Sequence, residues 1–153
     1  MNKIKDVQMS KELRDRLSSF SAIKPKPNFK YVPDVYRSKD QKSKDYQIPK
    51  ELWPVFDLKA LTGRDRIESE PFDGSRFSYA KYVISTVKRG LVGWSNWMDS
   101  EGKVIAFDEE IHSAGDQISD AALELFPEPL LLELATAINK EARLTEEELN
   151  GLG

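Results

Sequence analysis

The stretch 75-SRFSYAKYVISTVKRG-90 decides how the rest of this chain is read. Ser75 offers a hydroxyl to the unpaired N–H groups of a first helical turn. Ala80, Val83, Ile84 and Val87 recur at three- and four-residue spacing, and Gly90 follows as a stop. The pattern predicts an amphipathic helix from Ser75 to about Arg89 that packs through Ala80, Val83, Ile84 and Val87. Just upstream, Asp73-Gly74 marks a turn. Val55 to Leu61 alternates Phe56, Leu58 and Ala60 against Asp57 and Lys59, the period of a half-buried strand, and Thr62 with Asp65 suits the capping box of a short helix.

Downstream, Gly90-Leu91-Val92-Gly93 reads as a helix stop and a turn. Trp94 and Trp97 lead into Met98-Asp99-Ser100-Glu101-Gly102-Lys103 and the apolar Val104-Ile105-Ala106-Phe107, which together predict a small hairpin around Gly102. The acidic stretch from Asp108 to Gln117 has no clear period. Ser119 opens a helix through Leu123 and Phe126, ended by Pro127. Pro129 then suits the first turn of another helix, with Leu131, Leu134 and Ile138 as its core-facing stripe. Thr145 with Glu148 predicts a capping box for a separate last turn.

The first fifty residues differ in kind. They hold 13 Lys or Arg against 6 Asp or Glu, a surplus of seven positive charges, whereas residues 51–153 hold 10 against 20. Such asymmetry marks a basic arm for an acidic partner or an arm that lies back on its own acidic domain. Ser10 caps a short helix with Leu13, Leu17 and Phe20 on one narrow stripe. Pro25, Pro27, Pro33 and Pro49 then preclude a continuous helix, and Lys39 to Asp45 reads as linker or extended arm. Phe29, Tyr31, Val32, Val35 and Tyr36 are too rich in apolar surface for a flexible tether. Asn28 to Tyr36 is therefore expected to dock, either on the chain's own domain or on another protein. The expectation is an α+β chain that is mostly helical: a basic N-terminal arm over 1–50 and, over 51–153, a small helical domain with a short β-hairpin.

Composition narrows the chemistry. At 153 residues the chain fits one domain with a modest core. It has no cysteine, which removes disulfides, thiolate nucleophiles and cysteine-ligated zinc. The longest apolar runs fall far short of the ~20 residues that cross a bilayer, and Met1-Asn2-Lys3-Ile4-Lys5 lacks the apolar core of a secretory signal, so a cytoplasmic protein without a membrane partner is expected. Asp99-Ser100-Glu101-Gly102 differs from a calcium loop, whose glycine falls at the sixth position rather than the fourth. Neither Gly90-Leu91-Val92-Gly93 nor Gly63-Arg64-Asp65-Arg66 completes a nucleotide-binding loop. His112, the single histidine, is read as a solvated loop residue beside Asp108, Glu109, Glu110 and Asp116. No catalytic residue, metal ligand or cofactor is assigned. Nucleic-acid binding is disfavoured because the domain is acidic and no helix carries a Lys/Arg stripe. The candidate partner-binding residues are Phe29, Tyr31, Val32 and Tyr36 in the arm and the pair Trp94 and Trp97, which suits an interface hot spot or the core.

Leu61-Thr62-Gly63-Arg64-Asp65-Arg66, Gly90-Leu91-Val92-Gly93-Trp94-Ser95-Asn96, Asp99 to Phe107 and Leu144-Thr145-Glu146-Glu147-Glu148-Leu149-Asn150 occur in an order and spacing that resembles the tail assembly chaperones and related small tail proteins of long-tailed bacteriophages. The likeness runs from about Pro54 to Asn150. It implies a non-enzymatic protein of the bacterial host cytoplasm that keeps the tape measure protein in solution, helps recruit tail tube subunits and self-associates. The first fifty residues have no counterpart in that pattern. They suit the alternative, a structural or adaptor protein of a tail or head-tail assembly whose arm clamps a neighbouring subunit.

Overall fold

The computed structural model describes residues 10–17, 20, 22, 26–37, 48–69 and 71–151, with side chains as far as residue 141. In chain order the elements are α1 (Lys11–Leu17), β1 (Phe29–Tyr31), α2 (Asp34–Arg37), β2 (Val55–Leu58), α3 (Gly63–Glu68), β3 (Phe72–Asp73), β4 (Arg76–Phe77), α4 (Tyr79–Gly90), β5 (Leu91–Ser95), α5 (Glu109–His112), β6 (Ser113–Ala114), β7 (Gln117–Ile118), α6 (Asp120–Leu123) and α7 (Glu128–Gly151). The chain is thus a mixed α+β protein, which corrects the expectation of a mostly helical domain with one hairpin. The described residues hold seven strands in three small antiparallel sheets. Six of the seven strands are at most four residues long, too short for alternation to stand out from turn composition.

The main sheet has the order β1-β2-β5, antiparallel throughout. Phe56 lies opposite Trp94 and Asp57 opposite Gly93, after which the register shifts so that Leu58 meets Leu91. Phe56 and Leu58 are fully buried, as the alternation from Val55 predicts, although the strand ends at Leu58. The Leu91–Gly93 stretch expected to turn is instead the start of β5. Gly93 is buried within it, with the Phe107 ring 3.6 Å from where its Cβ would stand.

α4 and α7 complete the core with Val83 and Val87 from one and Leu134, Ala135 and Ile138 from the other. The N-cap of α4 is Ser78, whose Oγ accepts the Lys81 N–H at 3.3 Å, and not Ser75, which sits in the β3–β4 turn beside Gly74 at φ 66°. Moving the start by three residues leaves the buried face as Val83, Thr86, Val87 and Gly90, with Ala80 and Ile84 exposed. Gly90 is not a left-handed stop. It ends the helix, and a Cβ there would lie 2.5 Å from Ile138 Cδ1, so the glycine permits the close approach of α4 to α7.

Other local expectations meet the coordinates directly. Thr62 and Asp65 form both bonds of a capping box on α3. Ser119 Oγ accepts the Ala122 N–H at 3.1 Å to open α6. The hairpin around Gly102 forms with φ 82° at the glycine and Asp99 Oδ1 accepting the N–H groups of Glu101 and Lys103, but its ladder is a single Met98–Val104 bridge. The backbone of α7 continues to Gly151 without the separate last turn expected at Thr145. Ser10 caps α1 through the Leu13 N–H at 3.2 Å, and no residue of that helix is buried. The linker expected over 39–45 lies outside the described residues.

Candidate functional site: an exposed aromatic ledge

The β3–β4 hairpin and the first turns of α4 put four aromatic rings together at the surface. The hairpin pairs Phe72 with Phe77, and their ring centroids are 6.0 Å apart, edge to face. Phe77 reaches Tyr82 at 5.7 Å, and Tyr82 stacks on Tyr79 at 6.4 Å. Phe72, Phe77 and Tyr79 are 54%, 56% and 60% exposed. Lys81 braces the hairpin against the helix by donating to the Phe72 carbonyl at 3.4 Å and pairing with Asp73 at 3.6 Å.

The ledge adjoins a groove of about 460 Å³ along the outer face of α4, lined by Ala80, Lys81, Ile84, Lys88 and Arg89 with Glu68 opposite. Its cations are already engaged, Lys88 with Asp120 at 2.8 Å and Arg89 with Glu68 at 3.3 Å. Arg64 also holds Glu68 through a 2.7 Å bond that pushes the Glu68 carboxyl below its ordinary range. A partner here therefore meets paired charges at the rim and aromatic or apolar surface between them. Covering one large apolar side chain is worth roughly 1.5–3 kcal/mol, so the exposed rings of the ledge hold binding energy for a partner.

The residues singled out from the sequence fall elsewhere. Trp94 and Trp97 are only 5% and 8% exposed; they pack edge to face at 5.1 Å, and Trp94 Nε1 donates to the Ile105 carbonyl at 2.7 Å. They belong to the core. Phe29, Tyr31, Val32 and Tyr36 are half-buried, because the arm segment docks on its own chain: β1 joins β2, and Tyr31 donates to Glu133 Oε2 on α7 at 2.7 Å. Burial and that bond raise the Tyr31 phenol well above its ordinary value.

His112 is not solvated, contrary to the sequence reading. It is buried at the end of α5, its Nδ1 accepts the Asp108 N–H at 2.9 Å, and its ring lies 4.9 Å from Trp94 and 5.8 Å from Phe107. An acidic neighbourhood in sequence concealed an aromatic one in space. The ledge itself was missed although its signal is present: Phe72, Phe77, Tyr79 and Tyr82 crowd around the Asp73-Gly74 turn, and such density flanking a tight turn points to a shared surface.

Among the described residues no three His, Asp or Glu side chains gather as a metal site, and no helix is long and apolar enough to cross a membrane. Comparison of the chain with protein-family models, with curated proteins and with solved structures returns no match in any of the three.

Proposed function

We propose that this protein is a non-enzymatic assembly chaperone of the phage-tail type, working in the cytoplasm of a bacterial host. It would cover apolar helical segments of a tape measure protein before tail tube subunits enclose them. The single observation that carries the reading is the ledge of Phe72, Phe77 and Tyr79, left in solvent around a half-buried Tyr82. A holdase needs such a surface, because aggregation of the client proceeds through exposed apolar patches that an apolar partner can shield. The order of the Leu61–Arg66, Gly90–Asn96, Asp99–Phe107 and Leu144–Asn150 signatures supports the choice of client.

Co-expression tests it. The full chain should move the cognate tape measure protein from the insoluble to the soluble fraction, and Phe72→Ser/Phe77→Ser should lose that effect while keeping the native circular dichroism spectrum. Retention of full solubilising activity by the double variant would remove the ledge from the mechanism. The second reading, an adaptor that remains in the particle, rests on the arm. Detection of the chain in mature particles, without solubilisation of the client, would favour it.

A further inference from the structure

Asp73-Gly74, at the tip of the ledge hairpin, is the single Asp-Gly pair of the chain. Gly74 and Ser75 alone join β3 to β4, with Asp73 opposite Arg76 as the last rung of the ladder. Gly74 takes φ 66° at the first central position of this two-residue turn, the place a type II′ turn reserves for glycine, so its N–H lies beyond that rung. A Cβ on Gly74 would meet nothing within 4 Å. The amide nitrogen that follows Asp73 is therefore uncrowded, and a five-membered ring can close onto it from the Asp73 carboxyl carbon.

The carboxyl group is loosely held. Its side chain is 81% exposed, and Lys81 Nζ stands 3.6 Å from Oδ1 at 52% exposure, an ion pair weakened by the water around it. Asp99-Ser100 in the other turn is the contrast. There Asp99 Oδ1 accepts the Glu101 N–H at 2.9 Å and the Lys103 N–H at 3.0 Å, which pins the carboxylate, and the following residue carries a side chain. Ring closure at Asp73 also requires its backbone to leave the extended geometry of β3. All four residues of β3 and β4 are exposed, and so short a ladder in water opens well below the free energy of global unfolding.

We propose that Asp73 is a site of spontaneous isomerisation and that its isoaspartyl form dismantles the ledge. The Gly74 nitrogen attacks Cγ of the protonated carboxyl group: the N–Cγ bond forms, the nitrogen gives up its proton, and the hydroxyl leaves as water. The product is a succinimide. Water then adds to one of the two ring carbonyls and breaks its bond to nitrogen. Addition at Cγ returns aspartate; addition at the main-chain carbonyl leaves the chain running through Cβ and Cγ, with the original carbonyl as a free carboxylate. Mass is unchanged from start to finish. The main chain gains one methylene between Phe72 and Gly74, so Phe72 no longer faces Phe77 across the hairpin and their 6.0 Å edge-to-face contact is lost. The ledge thus has a covalent lifetime, whatever it binds, and this inference does not rest on the chaperone reading.

The test holds the full-length protein near neutral pH at physiological temperature for several weeks and then digests it with trypsin. The peptide over 67–76 has Asp73 as its sole aspartate, and the peptide over 90–103 has Asp99 as its sole one. Electron-transfer fragmentation, which separates isoaspartate from aspartate at equal mass, should find it several-fold more abundant in 67–76 than in 90–103. In Asp73→Glu the 67–76 peptide should stay unchanged, because the six-membered ring closes far more slowly. The isoaspartyl fraction, isolated by ion exchange, should lose the Phe72–Phe77 ring cross-peaks in nuclear magnetic resonance while the indole signals of the buried Trp94 and Trp97 keep their positions. Isoaspartate no more abundant in 67–76 than in 90–103 overturns the site. An isoaspartyl fraction that retains the ring cross-peaks overturns its effect on the ledge.

Discussion

One oxygen of Glu133 takes two donors, the Tyr31 hydroxyl and the Asp34 N–H, and so ties both β1 and the start of α2 to α7. A carboxylate acceptor strengthens each bond, and removing it should cost roughly 1–2 kcal/mol of local stability at this half-buried position. Glu133→Ala should therefore speed amide exchange at Phe29–Tyr31 by about tenfold while leaving α4 amides unchanged. The pH dependence has a definite sign. The folded-state pKa of Tyr31 is raised above its ordinary 10.0, first by burial and then by the bond to Glu133. The stability it contributes is complete below pH 10.0 and disappears as pH rises through the raised value, so arm protection should persist through neutral pH and fail only in strong alkali. Hydrogen exchange at two alkaline pH values would check this, and arm release near neutrality would contradict it. His112 makes a second residue-scale case. Buried against Trp94 and Phe107, it should cost about 1–3 kcal/mol when changed to alanine, read from the urea midpoint.

At the scale of elements, two residues of the expected α4 face separate cleanly. Val87 is fully buried whereas Ile84 is 39% exposed. Val87→Ala should lower stability by about 1–3 kcal/mol, and Ile84→Ala should stay within about 0.5 kcal/mol, both by chemical denaturation. Equal losses would mean that α4 packs on its outer face. The existence of α4, the Thr62 capping box, the alternation of β2 and the α7 stripe were legible because each is a local pattern of spacing. The start of α4 was not: Ser75 and Ser78 both offer a hydroxyl, and only the pairing of Phe72 with Phe77 consumes the first in a turn. β5 was obscured by a glycine just before it and another at its centre. Gly90 is needed for close approach to Ile138, whereas a Cβ at Gly93 would meet Phe107 at an ordinary 3.6 Å, and composition alone assigns both glycines to turns. The clustering of the ledge rings around Asp73-Gly74 was visible in the sequence, but their exposure depends on where the hairpin lands.

On the scale of the whole molecule, the basic first third and the acidic remainder meet at β1. The sheet needs the arm to cover the outer edge of β2, and Phe29 and Tyr31 pack against the same core as Phe56 and Leu58. A chain beginning at Lys50 would leave that edge open and return two half-buried rings' worth of contact surface to water, a loss of roughly 1–3 kcal/mol at half burial. It would also unfold with less newly exposed area, so its denaturant slope should fall together with its midpoint. Urea unfolding of the full chain and of 50–153, followed by tryptophan fluorescence, measures both quantities, because Trp94 and Trp97 sit in the shared core and report on it in either protein. Adding a peptide of residues 26–37 to the shorter chain should restore part of the midpoint in proportion to peptide concentration, as expected for a ligand that binds only the folded state. If the two proteins unfold at the same midpoint and the peptide has no effect, the arm is an ornament on the sheet and its contacts with Asp57 and Glu133 contribute nothing to the fold.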